Sequence, residues 1–410
     1  MAQETRVVLE NVGKIDPESI EAYMEVGGYE ALAKARGMDR KTLIDDVENA
    51  GRLRGRGGAG FNTGLKWSGA FEAPGDEKFI VCNADEGEPG TYKDRTIIEN
   101  DPHRLIEGML IAAYAIGADT CLVYCRGEYK EPIRLLKKAM EAAQAKGLTQ
   151  GVKMQVRSGA GSYVCGEETA LLESLEGRRG EPRLKPPFPT VAGYLGKPTV
   201  VNNVETFAAV PALIRNGSAW FASIGAEKYP GTKVFSLSGD IKNTGCFEAA
   251  TDVTLKEVIE EFGGGVKDGH RIKAIQVGGS SSGFIKPDGM DISLAFDAMR
   301  EQGSALGSGA ILVIDETHNM VDLVLRITEF FAEESCGKCV PCREGGYRAV
   351  QILRKFAAGN GTKQDLAQLR SLSQMMEDAC FCPLGQSATA AAISALDLFP
   401  EDFEERMAKS

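Results

Sequence analysis

Residues 78–95 read KFIVCNADEGEPGTYKDR, a stretch that joins an apolar run to an acidic loop containing two glycines. The run KFIVCN predicts a buried β-strand, because short apolar runs bounded by turn residues are typical of parallel-sheet strands. Polar ligands of open α/β sheets bind beyond the carboxyl ends of the strands. Asn83, Asp85, Glu86 and Glu88 are therefore candidate contacts for a hydroxyl-bearing ligand, although a lone DEGE sequence would indicate only a solvated loop.

The pattern around this strand predicts a largely parallel α/β sheet. Two further strand-like runs follow, TCLVYC at 120–125 and VKMQVRSG at 152–159, with helical periodicity at 104–117 and near 130–146. Strands separated by helices of this length form parallel sheets. A proline-rich stretch at 181–199 interrupts the pattern and predicts a long ordered loop or a lid.

Beyond this region the sequence changes character twice. From about residue 231, short strands surround one helix and predict a small α+β unit. After about residue 320, helical periodicity dominates the remainder of the sequence. We therefore predict three domains, at 1–230, 231–320 and 321–410.

Composition excludes several classes of protein. The 410 residues carry a formal net charge of −11, which argues against general nucleic-acid binding. The sequence starts without a basic and apolar leader, and the apolar run at 108–118 is shorter than the ~20 residues that span a bilayer. We expect a soluble, cytoplasmic protein without direct membrane insertion. Any peripheral association with the cytoplasmic membrane would occur through partner subunits.

The segment RGRGGAGFNTGLKW, residues 54–67, is the densest glycine cluster. Its backbone N–H groups could approach a phosphate, with Arg54, Arg56 and Lys66 adding positive charge. No clear strand precedes it, so it is a poor match to the dinucleotide-binding fingerprint. A flexible turn remains the alternative.

Two further segments could face a ligand at the start of a helix. In GAGSYVCGEETALLE (159–173), Glu167 and Glu168 lie in the first helical turn, where acids complement the helix dipole. Exposed N–H groups at the same place could instead face a cofactor. In VVNNVET (200–206), helix capping explains one asparagine but not both.

Five of the ten cysteines fall in the last fifth of the chain. Cys336, Cys339 and Cys342 have a spacing that fits three corners of a [4Fe–4S] cluster. Zinc sites more often use two Cys-x-x-Cys pairs or mixed Cys/His sets, and the three histidines of this chain have no ligand spacing. Spacing alone leaves Cys380 and Cys382, in EDACFCPLGQ, as candidates for the fourth ligand.

Together, four motifs carry a resemblance to a known family: GRGGAGFNTGLKW, NADEGEPGTYKDR, GSYVCGEETALLESLEG and SCGKCVPCREG. They resemble the flavin- and NADH-binding subunit of respiratory complex I and its relatives, the diaphorase subunits of NAD-linked hydrogenases and formate dehydrogenases. The resemblance covers nearly the whole chain, with the motifs in family order. It implies a Rossmann-like FMN domain of the α/β class, a small β-grasp domain and a C-terminal helical bundle that carries an iron–sulfur cluster.

The resemblance also implies the residues of the sites. Those expected to line FMN are Gly55, Gly57, Lys66, Asn83, Asp85, Tyr163, Gly166, Glu167, Asn202, Asn203 and Thr206. Those expected to face NAD(H) are Gly58, Phe61, Glu88, Glu168, Lys185 and Phe188, with the two phenylalanines stacked on adenine. We assign the chemical step to Lys66, which would tune the flavin, and to Glu88. The expected cluster ligands are Cys336, Cys339, Cys342 and Cys382, since the family's fourth cysteine shortly precedes Leu-Gly; Cys380 is then spare.

The implied function is that of an NADH-oxidising, NAD-reducing flavoprotein subunit. Hydride transfer between NAD(H) and FMN needs stacking and orientation rather than a general acid or base. The expected partners are a small thioredoxin-like [2Fe–2S] subunit and a larger iron–sulfur subunit, which would receive electrons from the [4Fe–4S] cluster. The β-grasp domain is expected to pack the other domains together and to contribute no chemistry.

Two alternatives remain open at this point. The chain could be the NAD(H) subunit of a soluble hydrogenase or formate dehydrogenase, including one that bifurcates electrons, because the catalytic motifs would be shared. From a different class, it could be a non-catalytic nucleotide-binding module held together by zinc.

Overall fold

The computed structural model describes residues 4–408 of the chain. A parallel sheet in the first half contains β1 (Phe79–Ala84), β2 (Thr120–Arg126), β3 (Lys153–Gly159) and β4 (Thr199–Asn203). The strand order is β3-β2-β1-β4. The three predicted strands are confirmed, whereas β4 is a strand that the sequence-based prediction omits.

The helices around this sheet agree with the predicted periodicity. Those of the first 230 residues are α1 (Ile20–Glu25), α2 (Glu30–Arg36), α3 (Arg40–Asp45), α4 (Thr63–Glu72), α5 (Lys93–Asn100), α6 (Pro102–Ile116), α7 (Lys130–Ala145), α8 (Glu168–Leu175), α9 (Pro189–Ala192), α10 (Val204–Asn216) and α11 (Ser218–Ala222). Helices α6 and α7 are the two predicted between strands. The proline-rich stretch contains α9 and a 3₁₀ turn at Tyr194–Gly196, and is otherwise loop up to β4.

Both faces of the parallel sheet are covered, as is usual for such sheets. Alternate strand residues point to opposite faces, so Ile80 and Val123 pack in one core with α6 and α10. Val81 and Leu122 pack in a second core with α8 and helices of the C-terminal region. The sheet therefore joins the first part of the chain directly to the last.

The strand order creates a ligand-binding crevice at one place. From β1 the chain proceeds outward to β2 and β3, and then returns to pair β4 with the other side of β1. In such sheets the crevice lies where the order reverses, beyond the carboxyl ends of the two strands that flank it. Asn83 and Asn203 are register partners at those ends.

A second, mixed sheet follows, as the predicted α+β unit. Its strands are β7 (Thr232–Gly239), β8 (Gly245–Ala250), β9 (Ile272–Val277), β10 (Phe284–Ile285) and β11 (Ala310–Asp315), after a small hairpin of β5 (Gly225–Ala226) and β6 (Tyr229–Pro230). The order is β10-β9-β11-β7-β8. Helices α12 (Leu255–Glu257), which continues as a π-helical turn to Phe262, and α13 (Phe296–Glu301) complete the unit.

The remainder is helical, as predicted. It contains α14 (Met320–Glu333), α15 (Val340–Ala357), α16 (Lys363–Ala379), α17 (Pro383–Ser387), α18 (Ala390–Leu398) and α19 (Pro400–Glu404). Cys339 and Cys382 immediately precede α15 and α17. Between residues 4 and 408, no helix combines the length and apolarity needed to cross a membrane.

Candidate functional site

The candidate site lies at the crevice between β1 and β4. The Asn83 side-chain amide donates to the Gly166 carbonyl at 2.8 Å and so connects β1 to the loop before α8. The Asn203 oxygen accepts from the Glu205 N–H at 3.0 Å and caps α10. Its amide donates to Asp94 at 2.6 Å. Helix capping therefore accounts for Asn203, as anticipated for one of the two asparagines.

Asn202 has a different role, because its oxygen accepts from the buried Trp67 indole at 3.1 Å. Thr206, in the first turn of α10, accepts from the Arg56 N–H at 2.8 Å. A Cβ added to Gly57 would lie 2.9 Å from the Cβ of Asn203, so the glycine loop approaches β4 closely. The two asparagines and Thr206 thus shape the crevice and hold the glycine loop over it.

Arg56 does not supply free positive charge to this loop. Its guanidinium is buried and donates to the carbonyl oxygens of Arg54, Pro230 and Thr232. Desolvation lowers the pKa of Arg56. The expectation of a phosphate contact from this side chain is corrected: three carbonyls take up its donors because the chain beyond residue 230 packs directly against the loop.

Lys66 lies among carboxylates and is not a free surface lysine. Its Nζ donates to Glu168 at 2.7 Å and to the Val201 carbonyl at 3.2 Å. Lys185 donates to Glu167 at 2.9 Å and to Glu168 at 3.0 Å. Burial would raise the pKa of Glu168, but the two lysines hold it below its usual value.

Glu167 has the structural role that its position suggested. It is the N-cap of α8, where its carboxylate accepts from the N–H groups of Thr169 and Ala170, each at 2.9 Å. A carboxylate that accepts hydrogen bonds at a helix N-terminus is stabilising, because the first N–H groups of a helix have no partner within the helix. The local helix rule therefore explains Glu167, whereas Glu168 is explained by the two lysines that reach it from distant segments.

Asp85 carries the clearest sign of an incoming ligand. Its Oδ2 is buried and, within residues 4–408, has no hydrogen-bond partner. Burial raises the pKa of Asp85 to about 7, although Arg126 acts in the opposite direction. A buried polar oxygen without a partner is costly, so a ligand that donates a hydrogen bond would stabilise it. The glycine cradle and this acceptor together fit a phosphorylated, hydroxyl-bearing flavin such as FMN.

Phe61 and Phe188 both carry exposed aromatic rings. Their exposed fractions are 52% and 55%, which excludes the alternative that either ring is simply part of the core. The Lys66 ammonium lies 5.9 Å from the Phe61 ring centroid. Exposed rings of this kind are suited to stacking on a planar heterocycle.

Glu88 connects the first domain to the second sheet. It accepts from the Tyr163 hydroxyl and from the Ser280 N–H, the latter at 2.6 Å. Burial raises the pKa of Glu88, and these hydrogen bonds partly offset that rise. Ser280 belongs to the loop between β9 and β10, so residues 231–320, which were expected to pack the other domains together, reach this carboxylate directly.

The C-terminal cysteines surround a common cavity. Its walls include Cys336, Cys339, Cys342 and Cys382, and on the side of the first domain Val164 and Pro182. Cys380 is buried beside this group, but it does not line the cavity. Burial raises the pKa of Cys382, which the backbone N–H groups of Gly385 and Leu384 partly offset. N–H groups directed at a sulfur are suited to a thiolate ligand.

The spacing of the cysteine sulfurs is wider than a single zinc ion would impose. Four sulfurs bound tetrahedrally at about 2.3 Å from zinc lie about 3.8 Å apart. Among the described residues, no three cysteine sulfurs lie within 4.8 Å of one another. The one group of potential ligands that does meet this limit consists of Asp240, Asp315 and His318. The cysteines are thus spread more widely than a zinc site requires, which fits a multi-atom iron–sulfur cluster.

The roles of several residues near these sites were not predicted from the sequence. The Ser335 hydroxyl lies 3.1 Å from the Cys342 sulfur. Arg179 donates to the Cys336 carbonyl at 2.7 Å, and Lys338 donates to the Pro182 carbonyl at 2.6 Å. None of these has a local signature, but the glycine pair in GGSSSG (278–283) could have marked the loop that contacts Glu88.

Comparison with known proteins agrees with this geometry. The chain matches the family models for the Nuo51 FMN-binding domain at residues 47–212, the SLBB domain at 234–285 and the NADH-ubiquinone oxidoreductase-F iron–sulfur binding region at 322–406. It is 47% identical to the F 2 subunit of NADH-quinone oxidoreductase from Rhizobium meliloti, with 97% of this chain and 96% of the relative covered. It is 45% identical to the HndC subunit of the NADP-reducing hydrogenase from Solidesulfovibrio fructosivorans, with 98% and 83% covered.

A solved structure shows the same architecture. The crystal structure of an NAD⁺-reducing [NiFe]-hydrogenase in the H₂-reduced state superposes with a TM-score of 0.88 at 36% identity, covering 99% of this chain and 68% of that one. Matches to both a quinone reductase subunit and hydrogenase subunits cover nearly the whole length of this chain. The chain therefore belongs to the NADH-quinone oxidoreductase-F family, the NADH-oxidising flavoproteins with an FMN-binding domain and a [4Fe–4S]-binding region.

Proposed function

We propose that this chain accepts NADH at the crevice between β1 and β4 and passes electrons to partner subunits through the C-terminal cysteine site. When bound, FMN exchanges a hydride with NAD(H), and the [4Fe–4S] cluster carries the electrons away singly. The residues that would hold FMN are those inferred from the resemblance, with Asp85 offering an unpartnered acceptor.

The main support for this proposal is that one short segment of the chain contacts both sites. Tyr163 and Glu168 belong to the nucleotide side, where they contact Glu88 and Lys66 respectively. Val164, the residue after Tyr163, lines the cysteine cavity. Because one stretch of chain touches both sites, a flavin and a cluster bound there would be close neighbours.

The chain's own residues would orient the reactants rather than exchange protons with them. Phe61 and Phe188 offer exposed rings for the adenine of NAD(H). Lys66 places a cation at the crevice, where positive charge stabilises an anionic reduced ring. Glu88 is an acceptor that two hydrogen bonds hold in place. This set fits hydride transfer, which needs stacking and orientation.

The test is anaerobic purification of the full chain with iron, sulfide and FMN supplied. The visible spectrum should show both flavin and cluster absorbance, and NADH should bleach the flavin within the mixing time. Ferricyanide reduction by NADH then measures turnover without any partner. A sample that contains zinc, with neither chromophore, would support the non-catalytic module instead.

We further propose that the electrons leave to a small thioredoxin-like [2Fe–2S] subunit and a larger iron–sulfur subunit. The relatives support two versions of this larger assembly, because one is named as a quinone reductase subunit and another as a hydrogenase subunit. A hydrogenase or formate dehydrogenase is therefore the second candidate. Affinity purification of the native complex, followed by mass spectrometry, would distinguish the two by the catalytic subunit that accompanies this chain.

A further inference from the structure

The loop between β9 and β10 binds Glu88 from the opposite domain. The Ser280 N–H donates to Glu88 Oε1 at 2.6 Å, across a separation of 192 residues. The neighbouring Ser281 N–H also acts to lower the pKa of this carboxyl group. Consecutive backbone N–H groups that converge on one anion form a nest, which favours a carboxylate at a defined position.

Gly279 permits this contact. Its φ is +106°, and a Cβ added there would lie 2.6 Å from atoms of the Glu88 carboxyl group. Any other residue would therefore displace the carboxylate from the nest. The requirement for glycine at this position follows from Glu88 as well as from the backbone conformation.

The loop is held rigidly by its own domain. The Gly278 N–H donates to the Ala310 carbonyl at 2.8 Å, and the Ser308 N–H donates to the Gly278 carbonyl at 3.2 Å. The Ser282 hydroxyl donates to the Gly279 carbonyl at 2.8 Å. These bonds fix the N–H groups before any ligand arrives, so Glu88 is held by a preorganised support.

The two domains also touch beside this contact. The hydroxyls of Thr91 and Ser308 lie 2.8 Å apart, and the Thr91 N–H donates to the Glu88 carbonyl at 3.0 Å. The acidic loop after β1 is thus joined to the second domain through the side chains of Glu88 and Thr91. The position of Glu88 depends on both domains.

We propose that the loop 278–282 is a positioning element of the NAD(H) site, which holds the Glu88 carboxylate in the orientation that binds the nucleotide. This inference rests on the proposed function, in which Glu88 faces NAD(H). The second domain then contributes to nucleotide affinity through Glu88, without touching the flavin.

The test is a double-mutant cycle between Gly279→Ala and Glu88→Ala in the full chain loaded with FMN. In the wild-type background, Gly279→Ala should raise the KM for NADH about tenfold, which corresponds to about 1.4 kcal/mol. The FMN content and kcat with ferricyanide should stay unchanged. In the Glu88→Ala background the added methyl group meets no carboxylate, so the same substitution should change KM less than about twofold.

Two further variants separate this effect from backbone strain and misfolding. Gly75→Ala is a matched control, because Gly75 has a φ of +119° and nothing within 4 Å of an added Cβ. Ser308→Ala removes one hydroxyl contact without a backbone change and should raise KM two- to threefold, a loss of about 0.5 kcal/mol, again only when Glu88 is present.

Two results would overturn the inference: an equal rise in KM in both Glu88 backgrounds, or no rise with either Gly279→Ala or Ser308→Ala. Failure of the wild-type protein to oxidise NADH would instead contradict the proposed function.

Discussion

Replacement of Asp85 by asparagine should stabilise the flavin-free protein, and the gain should grow with pH. Burial raises the pKa of Asp85 from 3.8 to about 7. The folded protein therefore holds this proton more tightly than the unfolded chain does. Below about pH 4 the carboxyl group is protonated in both states and costs nothing, and its cost then increases up to about pH 7. The full difference corresponds to about 4 kcal/mol.

The assay compares two pH values. From about pH 5 to about pH 8, the free energy of unfolding of the wild type should fall by about 2.5 kcal/mol relative to Asp85→Asn. Any pH-independent effect of the amide cancels in this difference. Urea unfolding can be followed by tryptophan fluorescence, because Trp67 is buried and bonded to Asn202 beside the site. Asp76→Asn, in the exposed loop before β1, controls for the loss of one charge.

If the stability difference between the wild type and Asp85→Asn is the same at both pH values, the pKa of Asp85 is not raised and its buried oxygen is not destabilising. FMN binding supplies an independent check. If a ligand donor bonds to the free oxygen of Asp85, then Asp85→Asn should weaken FMN binding by about 1.5–3 kcal/mol. Quenching of flavin fluorescence during titration measures this loss. The substitution would thus exchange affinity for stability, a trade-off common at functional sites.

Four other substitutions test separate parts of the site. Cys382→Ser should abolish bound iron and sulfide, whereas Cys380→Ser should retain them; the reverse result would mean that Cys380 is the fourth ligand. Lys66→Met should make the flavin midpoint potential more negative by about 30 mV, equal to about 1.4 kcal/mol for two electrons, in a potentiometric titration with the exposed Lys41→Met as control. Thr206→Val leaves a buried N–H of the glycine loop without an acceptor, and should lower both FMN content and the free energy of unfolding, the latter by about 1–3 kcal/mol.

The sequence predicted the elements whose signal is local. The strands β1, β2 and β3 are apolar runs of the expected length, and the helices between them have clear periodicity. Strand β4 was missed, because only Val200 and Val201 form an apolar pair before the polar Asn202 and Asn203. Its pairing with β1 is a long-range contact that no local pattern reveals. A cap by one of the two asparagines was predicted, because capping is decided by immediate neighbours, and the structure shows that it is Asn203.

The site shows the same division between local and long-range information. Glu167 caps the helix that it begins, and its role could be inferred from position. The role of Glu168, the next residue, depends on its ion pair with Lys66, which lies 102 residues away in the chain. Arg56 was expected to be available to a phosphate, but distant backbone carbonyls take up its donors. Charge on a glycine loop therefore indicates a ligand only when the rest of the fold leaves that charge free.

The two sites are tied together more strongly than either motif suggests. Electron transfer from a flavin to a cluster depends on a short and constant separation, yet both sites consist largely of loops, which are usually mobile. Here the loops hold one another: Arg179 donates to the Cys336 carbonyl, and Lys338 donates to the Pro182 carbonyl. The Tyr163 N–H donates to Glu334 at 2.8 Å, at the end of α14. Each of these bonds joins the segment 163–182 to the segment 334–338, so contacts within the protein hold the two sites next to each other.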